Sequence, residues 1–253
     1  MRARDSMYLL PSLLTTGNLF AGLYAIIAVM NANYVFAAIA ILVALIFDGL
    51  DGKFARITNT TSRFGLEYDS LVDVVSFGVA PGILIYSWAL SARGMFGSAV
   101  VFAFVACAAL RLARFNAQGN SQDKDNRFFI GLPVPAAAGV IATLVILDHH
   151  ILRLGREVKP LLILGITLVL AFLMVSVIRY RSFKEFGFKK GRQFNYLVIS
   201  VLVLMLVSAA PQVTLFVLFV GYAVSGVLEP LFHVVLRKPG VQSVARDVND
   251  TKE

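Results

Sequence analysis

Four aspartates of this 253-residue chain stand in the pattern Asp48-x2-Asp51-Gly52-x2-Ala55-Arg56-x8-Gly65-x3-Asp69-x3-Asp73, with strongly apolar sequence on both sides. An ionised side chain inside a membrane bundle is costly, so it faces a wet cavity, meets a countercharge or marks a functional site. Asp48 and Asp51 are three residues apart and Asp69 and Asp73 four apart, so on helices each pair shares one face. The intervening connection turns the chain back, and the two faces can then converge. The placement predicts a membrane-embedded metal site.

That reading needs a membrane, and the composition supplies one. Hydrophobic residues make up 58% of the chain and the mean hydropathy is +0.78, whereas a soluble domain is about 45 to 50% apolar. Crossing about 30 Å of hydrocarbon takes roughly 17 to 25 apolar residues in a helix. Eight such runs are read, at 13–30, 34–55, 66–91, 95–116, 132–148, 160–179, 194–209 and 212–236. They are long and do not alternate, which excludes a barrel. The expected fold is an all-α integral membrane bundle of about eight transmembrane helices, formed by residues 1–236, with a polar tail at 237–253.

An even number of crossings puts both termini on one side. Nineteen of the 23 lysines and arginines fall on the side that holds the termini, the 52–65 connection, the 111–131 region and the 179–192 loop. Arg93, Arg153, Arg156 and Lys159 fall on the other. Basic residues accumulate in retained loops, so the first side is cytoplasmic and the aspartates lie near it. The net charge of +8 is spread over these membrane-flanking loops, with no soluble module to carry nucleic acid. Anionic lipid headgroups are the expected partner of the 179–192 loop, where topology alone explains the charge about as well. The basic start before the first apolar run is read as an uncleaved first helix. Cys107, the single cysteine, is read as packing in the fourth span.

Four converging carboxylates do not stay ionised without cations. Magnesium and manganese prefer oxygen ligands, and two such ions balance four negative charges. No cysteine or histidine cluster lies near the segment to favour zinc. Paired ions suit the clamping of a phosphoryl or pyrophosphoryl group. The competing reading, an ion-pair network with Lys53, Arg56 or Arg63, accounts for one or two acids rather than four. Gly49, Gly52 and Gly65 either let a nucleotide approach the backbone or serve as helix-packing glycines.

The pattern from Asp48 to Asp73 resembles the signature of the CDP-alcohol phosphotransferase family at all eight fixed positions. The resemblance implies a dimeric membrane enzyme that moves a substituted phosphate from a CDP-linked donor to an alcohol and releases CMP. It further implies that Asp48, Asp51 and Asp69 are metal ligands, that Asp73 is the base and also lies near a metal, and that Gly52, Ala55, Arg56 and Gly65 lie beside CDP. The similarity extends to Leu10-Pro11-Ser12-Leu13-Leu14-Thr15 through Asn18, to Arg111-Leu112-Ala113-Arg114-Phe115-Asn116, and to Gly131-Leu132-Pro133-Val134-Pro135-Ala136-Ala137-Ala138. The last two resemble the branch whose acceptor is serine, which implies CDP-diacylglycerol and L-serine as substrates.

Arg111 and Arg114 share a face at the cytoplasmic end of the fourth span, and paired guanidinium groups suit a diphosphate or a small carboxylate. Snorkelling to lipid headgroups is the alternative. With Asn116 they form the candidate acceptor site. Pro133 and Pro135, and Gly78, Pro81 and Gly82, are read as structural. His149, His150 and His233 lie away from the acids, and no His-x-Lys-x4-Asp pattern occurs, so no phosphohistidine step is expected. The rival functions are the same transfer to glycerol 3-phosphate or an inositol acceptor and, in another class, a divalent-cation transporter or a non-catalytic scaffold. Against transport, the carboxylates sit at one membrane face rather than along a path across it.

Overall fold

The computed structural model describes residues 3–58, 62–118, 128–155, 158–181 and 193–236. Helix α1 (Ala3–Met30) and helix α2 (Tyr34–Ile57) form an antiparallel pair. Their turn is closed by the Ala32 amide on Val29 O and the Asn33 amide on Ala28 O, both at 2.9 Å. A third rod runs through α3 (Arg63–Asp73), a π-helical turn (Val74–Val79), α4 (Ala80–Ile85), a second π-helical turn (Tyr86–Leu90) and a 3-10 turn (Ser91–Arg93). Gly94, at φ 53°, then reverses the chain into α5 (Gly94–Gln118), a geometry that costs a residue without a Cβ little.

α5 lies back along that rod. A Cβ at Gly82 would stand 3.1 Å from Val105 and 3.2 Å from Val101, and one at Gly78 would stand 3.4 Å from Ala108. These small residues let the two backbones approach, as expected for apolar helices that gain little from excluding water. Pro81 falls in the first turn of α4, directly after the π-helical turn that absorbs its missing donor. The apolar stretch Arg63–Ala117 is therefore a hairpin of two rods.

Helix α6 (Val134–Leu147) is the centre of the bundle. It is apolar all round, and every residue except Pro135 and Ile146 is buried, packed mainly by α2 and α9. Pro133 caps it and Pro135 occupies its first turn, where a missing amide proton costs no intrahelical bond. At its far end Asp148 accepts the Leu154 amide at 2.8 Å and pairs with Lys159 at 2.7 Å, and Lys159 lies 4.3 Å above the Trp88 ring. His149 and His150 are exposed there, at the opposite end of α6 from the aspartates.

Helix α7 (Val158–Val175) packs on α5, and α8 (Gln193–Ala209) and α9 (Pro211–Leu236) complete the bundle. The helical run expected at 160–179 stops at Val175. A strand β1 (Phe128–Ile130) instead pairs antiparallel with β2 (Arg179–Arg181). The stop has a physical cause: the Arg114 guanidinium takes the carbonyls of Val175 at 3.3 Å, Ser176 at 3.4 Å and Ile130 at 3.1 Å. The Gly131 amide bonds Ile178 O and the Leu132 amide bonds Leu173 O. Gly131 sits at φ 80°, and a Cβ there would press on Met174 O. Tyr180 is then wholly buried under α9, where its hydroxyl donates to Ala223 O at 3.1 Å. Burial, followed by the neighbouring Tyr222 phenol, pushes the Tyr180 hydroxyl up to about 12, so it stays a donor.

Among the described residues, six stretches are long and apolar enough to cross a membrane, the Arg63–Ala117 hairpin counting as one of them. The chain is a multi-pass membrane protein of almost wholly helical build. The connection around 119–127, residues 182–192 and the tail at 237–253 lie outside the described residues.

Candidate active site

Helices α1, α2 and α3 meet at one end of the bundle, each contributing polar side chains to a shared seam. α2 brings Asp48 and Asp51, and α3 brings Asp69 and Asp73. Carboxylate oxygens of Asp48, Asp51 and Asp69 lie within 4.8 Å of one another. Asp51 is 4% exposed and Asp73 is 6% exposed. Among the described residues the one ion pair is Lys159 with Asp148, at the far end of the bundle. Oδ1 of Asp69 is buried without a hydrogen-bond partner. Three converging carboxylates, one with an orphaned oxygen, form a donor set that fits a hard divalent cation.

Asp73 stands beside this group of three. Its Oδ1 accepts a hydrogen bond from Asn18 Nδ2 at 3.2 Å, and it lies within electrostatic reach of Asp48, Asp69 and Asp51. Thr15 Oγ1, also buried, donates to Asp51 Oδ2 at 2.8 Å. Thr15 and Asn18 are three residues apart, so one face of α1 reaches both acidic helices. Ser76 donates to the Asn18 carbonyl at 3.1 Å, and Gly22 permits the close pass, since a Cβ there would lie 2.8 Å from Ser76 Cα.

Beside the carboxylates an open cleft is walled by Pro11, Thr15, Asp51, Gly52, Ala55, Gly65 and Asp69. A Cβ at Gly49 or Gly52 would meet nothing within 4 Å, so neither glycine is there to pack against another helix of the chain. Gly65 has a different task. Ser62 caps α3 by accepting the Gly65 amide at 3.0 Å, and a Cβ at Gly65 would stand 3.1 Å from that oxygen. The side chain of Arg56 lies outside the described residues.

The expected acceptor residues separate by environment. Arg111 is 8% exposed, lies within electrostatic reach of Tyr222 on α9 and of Asp73, and its Nε has no partner. Arg114 binds the three main-chain carbonyls that end α7 and β1. Asn116 accepts from Ser70 Oγ at 3.1 Å and donates to Glu67 Oε2 at 3.1 Å, tying α5 to α3. Thr15, Asn18, Ser76, Glu67 and Tyr222 carry no site assignment in the sequence reading. For Thr15 and Asn18 a signal exists, two polar residues at helical spacing in an apolar run. The other three acquire their relevance from helix packing.

A family model described as CDP-alcohol phosphatidyltransferase matches residues 8–177. The chain belongs to that family, and the resemblance carried by the aspartate motif is confirmed. Among curated proteins it is 40% identical over 233 residues to a CDP-diacylglycerol--serine O-phosphatidyltransferase of Helicobacter pylori (strain J99), covering 91% of this chain and 94% of that one. One of the same name from Bacillus subtilis (strain 168) is 35% identical over 179 residues, which is 71% of this chain and 93% of the relative. An archaetidylserine synthase of Methanothermobacter thermautotrophicus (strain Delta H) is 36% identical over 177 residues, 69% and 70% of the two chains.

Proposed function

We propose that the protein transfers the phosphatidyl group of CDP-diacylglycerol to the hydroxyl of L-serine, giving phosphatidylserine and CMP. The observation that carries this reading is the seam of four buried or half-buried aspartates beside an open cleft, in a chain similar over nine-tenths of its length to a protein named for that reaction. Asp48, Asp51 and Asp69, together with Asp73, are the residues that would hold Mg2+ or Mn2+, two ions per subunit. When bound, such ions neutralise the diphosphate and stabilise the charge that develops on the departing CMP oxygen.

The chain's own groups do the rest. Gly52, Ala55 and Gly65 border the space for the cytidine diphosphate, and the lack of side chains at Gly52 and Gly65 leaves room for it; the family motif assigns Arg56 to the same ligand. The acyl chains stay in lipid, outside the apolar faces of α2 and α3. Asp73, held by Asn18, accepts the proton of the serine hydroxyl. The serine oxygen then bonds to the phosphorus that carries diacylglycerol, and the bond from that phosphorus to the CMP oxygen breaks. Arg111, with Arg114 and Asn116 bracing the mouth, faces the acceptor's carboxylate.

The distribution of lysine and arginine supports eight crossings, cytoplasmic termini and a cytoplasmic active site. In this reading residues 1–236 are the catalytic membrane domain, 237–253 a polar tail, the basic loop contacts anionic headgroups, and the working unit is a homodimer. The test is CMP release by purified protein from CDP-diacylglycerol with magnesium or manganese, adding serine, glycerol 3-phosphate, inositol or inositol phosphate separately. Release with serine alone, abolished by chelator and restored by either ion, is the expected result. Release with another acceptor keeps the chemistry and replaces serine; no release with any acceptor overturns the enzymatic reading.

A further inference from the structure

Helix α3 brings two carboxylates to the seam, yet of its eleven residues only Val72 and Asp73 are buried. Apolar packing therefore does little to fix how the helix is turned about its axis. Asp51 and Asp73 are each held by a side chain of α1, whereas Asp69 Oδ1 has no partner, so the place of Asp69 follows from the rotation of the helix that carries it. On another face of α3, Glu67 and Ser70 stand three residues apart and meet one residue of α5, Asn116. Ser70 Oγ donates to Asn116 Oδ1 and Asn116 Nδ2 donates to Glu67 Oε2, each at 3.1 Å. The partners dictate this orientation of the amide, because the Glu67 carboxylate accepts and must meet the NH2 end. Both ends of Asn116 are thus engaged by residues on either side of Asp69 in the chain.

We propose that Asn116 is a positioning residue for the metal site: through Glu67 and Ser70 it sets the rotation of α3 and so aims Asp69 at Asp48 and Asp51. The inference rests on the reading of the seam as a divalent-cation site, and it replaces contact with the acceptor as the task of Asn116. The Thr16 and Tyr68 hydroxyls, 3.1 Å apart, strap the same helix to α1, so α3 is held from two flanks by polar bonds rather than by a core. A turn of α3 about its axis carries Asp69 and the Glu67 and Ser70 face together. Loosening the α5 strap therefore moves a ligand that nothing else in the seam restrains at Oδ1.

The test reads Mn2+ affinity of the purified protein from the free-ion signal in electron paramagnetic resonance. Asn116→Asp sets a carboxylate against Glu67 and breaks the strap. Its added negative charge would by itself tighten Mn2+ binding, so a loss of affinity of at least about tenfold, the usual effect of disturbing the partners of metal ligands, reports geometry. Adding Glu67→Gln to Asn116→Asp restores a donor and acceptor pair at the original net charge, and affinity should return to within threefold of wild type. Affinity unchanged or raised in Asn116→Asp, or no recovery in the double variant, overturns the proposal. Should Asn116→Asp fail to fold, exposed Glu67 supplies the comparison. Glu67→Gln and Glu67→Leu lose the same charge, but only Glu67→Leu loses the acceptor for Asn116, and it should bind Mn2+ at least fivefold more weakly; equal affinities overturn the proposal. At saturating Mn2+ the KM for serine should change less than threefold in Glu67→Leu. A tenfold rise in that KM with metal affinity intact would return Asn116 to the acceptor and overturn the proposal. Failure of the functional reading is separately visible, as a wild-type protein that binds Mn2+ and loses it in Asp69→Asn yet releases no CMP with serine.

Discussion

Asp73 differs from the three carboxylates beside it in what it touches. Asp48, Asp51 and Asp69 share a space small enough for one cation to bridge, whereas Asp73 is held by an amide. Replacing Asp73 by Asn keeps the shape and removes the base. Turnover should fall by roughly 10²- to 10⁴-fold, the usual worth of a positioned general base, while binding of CDP-diacylglycerol persists in a filtration or fluorescence assay. Normal turnover in Asp73→Asn removes the base role. Thr15 acts one step further out, through Asp51. In Thr15→Val the metal concentration for half-maximal CMP release should rise about 10- to 100-fold, as for other partners of metal ligands, and saturating metal should recover most of the activity. An unchanged metal requirement would show that the 2.8 Å bond does not tune Asp51.

Helix α1 is the element that turns two acidic helices into a site. Its Thr15 and Asn18 set Asp51 and Asp73, and Gly22 fixes how closely it lies on Ser76. Gly22→Ala puts a methyl group against Ser76 Cα and side chain, so α1 must withdraw. Overpacking of this kind costs about 1 to 3 kcal/mol. The expected outcome is a thermal midpoint lowered by several degrees and kcat/KM for serine lowered at least tenfold, because Thr15 and Asn18 move with the helix. A lowered midpoint with unchanged kcat/KM would mean that α1 stabilises the bundle without positioning the carboxylates. At the other side of the site Arg114 works as a joint. Its three carbonyl bonds end α7 and seat β1 against β2, which in turn seats Tyr180 under α9.

At the scale of the whole molecule, the polar groups segregate to two ends. The carboxylate seam occupies one, and the Asp148, Lys159 and Trp88 cluster holds α6, α7 and the Arg63–Arg93 rod together at the other. Orientation can be read with single cysteines after Cys107→Ala. Lys53 and Arg153 are both exposed, beside the seam and at the opposite end respectively. A membrane-impermeant maleimide should label Lys53→Cys in inside-out vesicles and Arg153→Cys in right-side-out vesicles. The reverse pattern would place the active site on the outer face.

Much of this protein is legible without coordinates, and the reason lies in energetics that act on the chain locally. Hydrocarbon requires long helices, so the apolar runs announce the rods, and helix starts at 34, 94 and 193 fall within a residue or two of the runs read from sequence. The expense of intramembrane charge makes the four aspartates conspicuous, and their spacing puts each pair on one face. Contacts between distant segments follow other rules. That α7 stops at Val175, that Arg114 bonds main chain, that Asn116 is taken by Ser70 and Glu67, and that Asn18 bonds Asp73 depend on which helices lie side by side. Residue type and period carry no record of those neighbours. The helices and their acids were thus written in the chain, while the partners that orient each acid came from packing, since a hydrogen bond between positions 18 and 73 exists only once α1 and α3 touch.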